Sequence, residues 1–347
     1  MFEGGSFTSY QTTTEIFQAK KERQNLSRIG LSLAVYLVLM LVIQYLVSLV
    51  FRDYITAKFP VLVESGWFLW LMVYLPQFII CVPVAYFMLR IKEPQEISSG
   101  DISAANYVQI MIMCVTVLYI GNLIGTFFSN LLGAGNALEA LAVNSNLWAT
   151  LLFAVILVPI TEEFVFRKLV MDRLRKYGDK IAILLSALLF ALIHANLAQF
   201  FYAFGLGILF GYVYTRTGKL RYSIGLHMFV NFLGMFVGTL ILRLMENVDL
   251  EAVSNMSAAG NEVALEQAGG LLLVGFYGIA MIALTIIGLI LIVTKWKKAQ
   301  LKAAVVEIPQ GQRAKIIFGN PGIILFIICS ILGMLSPFLL VAAGLFS

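Results

Sequence analysis

The chain contains two histidines, and both fall within apolar stretches. His194 closes Phe190-Ala-Leu-Ile-His194, and His227 opens His227-Met-Phe-Val-Asn231. A third polar cluster, Glu162-Glu163-Phe-Val-Phe-Arg167, interrupts an apolar stretch upstream. These residue types suffice for attack of water on a peptide carbonyl. A carboxylate takes the proton from water, and an imidazole holds or polarises that water. A second imidazole and an amide donate hydrogen bonds to the developing oxyanion. Glu162, His194 and His227 are also a donor set that can bind a divalent metal such as zinc, so metal-assisted and metal-free chemistry both stay open. Other hydrolytic mechanisms lack candidates: the chain has no His-Glu-x-x-His, no Gly-x-Ser-x-Gly and no aspartate pair in an apolar stretch.

Helical spacing arranges the clusters. Glu163 and Arg167 are four apart, share a helix face and can pair, which offsets much of the cost of burying either. Glu162 points about 100° away from Glu163 and has no such local partner. His227 and Asn231 share a face, and His194 stands alone on its helix. At about 1.5 Å per residue, Glu162 and Asn231 lie ~15 Å, His194 ~18–20 Å and His227 ~9 Å from the basic ends of their helices. One pocket opening toward the cytoplasm is expected to contain all four. Taken singly, an intramembrane His or Asn is ordinarily interhelical glue, and a Glu–Arg pair is ordinarily structural. Every histidine of the chain and an adjacent acidic pair falling in three of four successive helices points instead to one active or binding site.

The elements that must position these residues are membrane spans. The 347 residues are 60% hydrophobic and 12% charged, about half the charge of a soluble domain. Nine apolar runs predict an all-α, polytopic helical bundle with spans near 30–50, 68–89, 104–133, 147–171, 181–197, 199–215, 222–242, 270–293 and 321–345. The third is long enough to tilt, or to break near Gly121 or Gly125. All of the 24 Lys and Arg residues except Arg52, Lys58 and Arg243 fall in alternate connections or at the span ends that adjoin them, and the loop 244–268 is acidic. The positive-inside rule then sets the N-terminus in the cytoplasm and the C-terminus outside. The net charge of +5 reflects this asymmetry and gives no reason to expect nucleic acid. The expected organisation is a cytoplasmic segment 1–29, which can hold an interfacial helix; N-terminal spans over 30–146; a core over 147–236; and C-terminal spans over 237–347. The first apolar run reads as a retained span rather than a signal peptide. Cys81, Cys114 and Cys329 lie within spans, so no disulfide framework is expected. Segment 295–306 reads equally as a basic loop or a helix on the inner membrane surface. Ala203, Gly207, Gly211 and Thr215 line one helix face and permit close helix packing.

The three clusters, in this order and each in a span, resemble the CAAX protease and bacteriocin-processing family of intramembrane proteases, related to lysostaphin-resistance proteins. The stretch Gly207-Ile-Leu-Phe-Gly211 through Thr217-Gly218 and Ser223-Ile224 before His227 is similar as well. The resemblance implies an endopeptidase in which Glu162 activates water together with His194, His227 and Asn231 stabilise the oxyanion, and Glu163 and Arg167 support them. It leaves metal dependence open. It implies a hydrophobic or membrane-bound peptide or protein as substrate, with the bilayer as surroundings, and the short loops suggest a bacterial cell membrane. The sequence leaves the oligomeric state open. Two other classes remain: a non-catalytic bacteriocin-immunity or partner-binding membrane protein, and a transporter, which the lack of paired broken helices disfavours. The charge asymmetry sets a first test. A reporter fused after Ser347 is expected to read as external, and a cytoplasmic reading contradicts the nine-span topology.

Overall fold

The computed structural model describes residues 5–47, 52–90, 100–132, 146–246, 248, 262–308 and 310–342. Among these, every element is helical. The principal helices are α1 (Gly5–Leu46), α2 (Trp70–Leu89), α3 (Ala104–Leu131), α4 (Leu147–Tyr177), α5 (Asp179–Ile193), α6 (Leu197–Thr217), α7 (Leu220–Met245), α8 (Glu262–Lys295) and α9 (Pro321–Ala342). Seven are long and apolar enough to cross a membrane: α1 from Gln18, α2, α3, α4, α6, α7, and α8 from Ala268. This is an integral membrane protein. The other two expected spans are α5, with 15 residues, and α9, whose described apolar stretch runs over Pro321–Ser336.

Two expectations are corrected, and one open alternative is decided. The segment 1–29 holds no separate interfacial helix within the described residues, because α1 runs unbroken from Gly5 into the first span. The third span does not break, since α3 is continuous and its glycines serve packing. A Cβ on Gly121 would sit 2.6 Å from the Tyr202 backbone, and one on Gly125 would sit 2.1 Å from the Ala198 oxygen. Segment 299–306 is an extended strap rather than a surface helix. Val305 and Val306 donate backbone hydrogen bonds to the Lys176 oxygen, Asp179 N–H donates to the Lys302 oxygen, and Lys302 N–H returns one to the Asp179 carboxylate. The acidic loop 244–268 lies largely outside the described residues.

The basic connections gather at one end of the bundle. Arg23 reaches the Gly319 oxygen at 2.7 Å, Arg28 the Met88 oxygen at 2.8 Å, Arg173 the Leu89 oxygen at 2.7 Å, and Lys219 the Asp101 carboxylate at 2.6 Å. Glu22 on α1 is buried there and accepts from Lys176, from Tyr177 at 2.5 Å and from Asn25 at 3.0 Å.

The small-residue stripe of α6 packs as its spacing suggests. A Cβ on Gly207 would lie 2.9 Å from the Ala187 Cα of α5, and Gly211 faces Ile183 of α5 and Met171 of α4. This seats α6 between the helices that carry the polar clusters. Close approach makes these glycines sensitive to any side chain. Gly125→Ala is expected to lower stability in detergent by about 1–3 kcal/mol through overpacking, or to abolish folded expression. Gly275→Ala, where a Cβ meets nothing within 4 Å, is expected to be neutral or slightly stabilising. Equal thermal unfolding of the two variants would contradict the α3–α6 contact.

Candidate active site

Span four carries the acidic pair on a short α-helical segment, Val158–Glu163, between wider π-helical stretches at Thr150–Leu157 and Phe164–Met171. Pro159 has no N–H to return to the preceding turn, and a locally widened helix accommodates that missing bond. Glu163 then points inward and Glu162 points toward a cavity, as their separation by one residue requires.

Glu163 and Arg167 are both fully buried, and their ion pair spans 2.9 Å. Arg167 also donates to Ser186 Oγ of α5 at 3.0 Å, and Ser186 donates to the Phe166 oxygen at 3.1 Å. The guanidinium lies over the Phe190 ring at 5.4 Å and the Phe210 ring at 6.0 Å. The second Glu163 oxygen faces His227 Nδ1 at 3.2 Å. A carboxylate already paired with Arg167 only accepts, so Nδ1–H is the donor, and Nε2 is the nitrogen left for other work. That Nε2 lies 3.7 Å from Glu162 Oε2. The imidazole is stacked on Phe210 with centroids 5.2 Å apart, and Phe190 meets it edge-on at 5.7 Å.

His194 caps the far end of α5. Its Nδ1–H donates to the Phe190 oxygen at 2.8 Å, which leaves Nε2 for the cavity. The chain then turns sharply through Ala195, a non-glycine residue at φ 46°. Asn196 caps α6 by accepting from Ala198 N–H at 2.9 Å. A left-handed alanine beside a candidate catalytic residue is a small strain that the surrounding packing holds in place. Asn231 lies one turn beyond His227 and donates from Nδ2 to the Ala154 oxygen at 2.8 Å.

A cavity of about 720 Å³ is lined by Glu162, His194, His227 and Asn231 together. The four candidates are therefore brought to one space, while Glu163 and Arg167 stand behind it. The cavity extends toward the helix ends away from the basic connections. Gln44, Ser129, Asn196, Gln199 and Ser336 line it, and all lie toward the ends of their helices opposite the basic connections. Sequence spacing also missed Tyr36 and Tyr74, which complete the wall from α1 and α2, and Ser186, which holds Arg167. Asn196 carried a readable signal, a capping residue directly after the His194 helix.

Residues 144–233 match the family model of the Rce1-like type II CAAX prenyl endopeptidases. The matched Rce1-like region is about a quarter of the chain and contains all three polar clusters. It carries the CAAX protease resemblance read from the motifs, and that family is one of membrane proteases. No curated protein and no solved structure matches the chain. The Rce1-like region does not fit a zinc site in this arrangement. Among the described residues no three His, Cys, Asp or Glu side chains converge as a metal would require.

The buried pair generates a stability test. Arg167→Ala leaves Glu163 in the span without its cation and is expected to cost about 3–5 kcal/mol. Adding Glu163→Gln removes the stranded charge and is expected to recover part of that loss. Thermal unfolding in detergent measures both, and parental stability of the single variant would contradict a buried ion pair.

Proposed function

We propose that the chain is an intramembrane endopeptidase that hydrolyses a peptide bond in a hydrophobic or membrane-associated protein. Its basic connections and N-terminus face the cytoplasm in this reading. One observation carries it: Glu162, His194, His227 and Asn231 line a single cavity within the region matched to a protease family.

Glu162 is the general base. It takes a proton from a water that His194 orients through Nε2, and the hydroxyl adds to the scissile carbonyl carbon. The carbonyl oxygen becomes an oxyanion, to which Asn231 donates its second amide N–H, the first being held by Ala154. His227 presents Nε2 there, its ring fixed through Nδ1 by Glu163. Collapse of the tetrahedral intermediate breaks the C–N bond, and Glu162 returns its proton to the leaving amine. Arg167 holds Glu163 in place, so it positions His227 without touching substrate.

Glu162→Gln keeps the side-chain size and removes the base, with an expected loss of about 10²–10⁴-fold in cleavage. His194→Ala is expected to be similarly damaging. Asn231→Ala removes one oxyanion donor, about 10²–10³-fold. Peptide cleavage by purified protein in liposomes, with thermal unfolding as a control for folding, measures all three. Protein stripped by a chelator is expected to stay active. Parental cleavage by folded Glu162→Gln would overturn the protease reading in favour of a non-catalytic membrane protein.

A further inference from the structure

The α5–α6 hairpin is shorter than the helices around it. α5 has 15 residues, ~22 Å of helix. Its turn is pressed against α9 at Gly333, where a Cβ would lie 2.7 Å from the Ala195 Cβ. From that level α9 continues to Ala342, ~13 Å further. α3 meets the start of α6 at Gly125 and continues to Leu131, ~9 Å further. α1 runs alongside α9 from the contact of Gly30 with Gly322, and ends at Leu46. The turn His194–Asn196 is thus recessed. It forms the floor of a well whose walls are the projecting ends of its neighbours, and Glu162 and the two histidines lie at that floor.

The opposite end is shut. Arg167, Phe166 and Tyr214 are buried beneath the site at 2% exposure or less. Tyr214 donates to the buried Asp172 at 2.9 Å. Below them lie Glu22 with Lys176 and Tyr177, and the strap across Lys176 and Asp179. A peptide arriving from the basic end would have to displace several buried charged groups. Arriving from the other end, it meets an open well.

We propose that substrate reaches Glu162 from the membrane face opposite the basic connections, as an uncharged, apolar peptide segment received between walls that α1 and α9 supply. The substrate class rests on the protease reading, whereas the direction of access rests on the well alone. The described lining contains no Lys or Arg, and Glu162 is its one carboxylate. Polar groups at the rim, Gln44, Gln199 and Ser336, are uncharged, and the walls carry Val38, Leu41 and Leu332. Both walls lie outside residues 144–233, so these flanking spans would set which segment is accepted. With the basic end in the cytoplasm, the substrate is an exported or externally displayed segment.

Cys329 on α9 lines the well and provides a reporter, since Cys81 and Cys114 are fully buried. The experiment labels the full-length Glu162→Gln protein with a membrane-impermeant maleimide in vesicles of each orientation. Gln300→Cys in the basic strap marks the opposite face, and Ser336→Cys reports the rim. Cys329 and Ser336→Cys are expected to label only in the orientation where Gln300→Cys is shielded. Labelling of either together with Gln300→Cys, or of neither in both orientations, would overturn the direction of access. A synthetic Leu/Ala peptide is expected to slow labelling of Cys329, whereas a Lys/Glu-rich peptide of equal length is not. Equal protection by both, or by neither, would overturn the apolar class. Because the reporter needs no turnover, sided labelling combined with parental cleavage by Glu162→Gln would leave the well standing and remove only the protease reading.

Discussion

The ion pair between Glu163 and Arg167 is the interaction on which the rest of this arrangement depends. Two full charges with no exposure sit side by side within a membrane-spanning helix. Burying such a pair costs more than its attraction repays unless tight geometry and further contacts offset the desolvation. Here three other helices supply those contacts, with Arg167 Nη2 left without a hydrogen-bond partner among the described residues. Ser186 comes from α5, the aromatic faces come from Phe190 of α5 and Phe210 of α6, and the second carboxylate oxygen takes His227 from α7. One buried charge pair on α4 therefore fixes the mutual register of four helices, and the Gly207 stripe lets α6 come close enough to take part.

Two adjacent carboxylates end in different surroundings as a result. Glu163 is consumed by the network and cannot face substrate. Glu162, rotated by one residue, stands at the cavity opposite the free nitrogen of the imidazole that Glu163 holds. The same buried group that stabilises the core selects which histidine nitrogen is presented to the cavity. This links folding to chemistry directly: whatever unsettles Arg167 also releases His227.

Much of this was legible because it is local. The i, i+4 spacing of Glu163 with Arg167 gave their pairing, the rotation between Glu162 and Glu163 gave their division of roles, and apolar runs gave the helical bundle. The small-residue stripe of α6 announced a close contact. What could not be read depends on partners distant in sequence. Gly121 and Gly125 suggested a break in α3, yet they exist because Tyr202 and Ala198 approach there. The basic composition of 295–306 imitates an interfacial helix, while its extended form is set by hydrogen bonds to Lys176 and Asp179. The extent of the cavity toward the far helix ends was not legible, because depth from the basic ends says nothing of the opposite ends. The shortness of α5 relative to α3 and α9, which opens the far end, appears only when the helices are laid side by side.

The account's central claim is that Glu162 cuts peptide bonds in membrane-associated substrates. Its most direct measurement is a comparison of protein termini in membranes from cells carrying the parent chain and cells carrying Glu162→Gln at equal abundance. The account predicts one or more uncut membrane-associated proteins that accumulate only with Glu162→Gln, each with an apolar segment beside the bond that the parent cleaves. Identical sets of termini in the two membranes would contradict it.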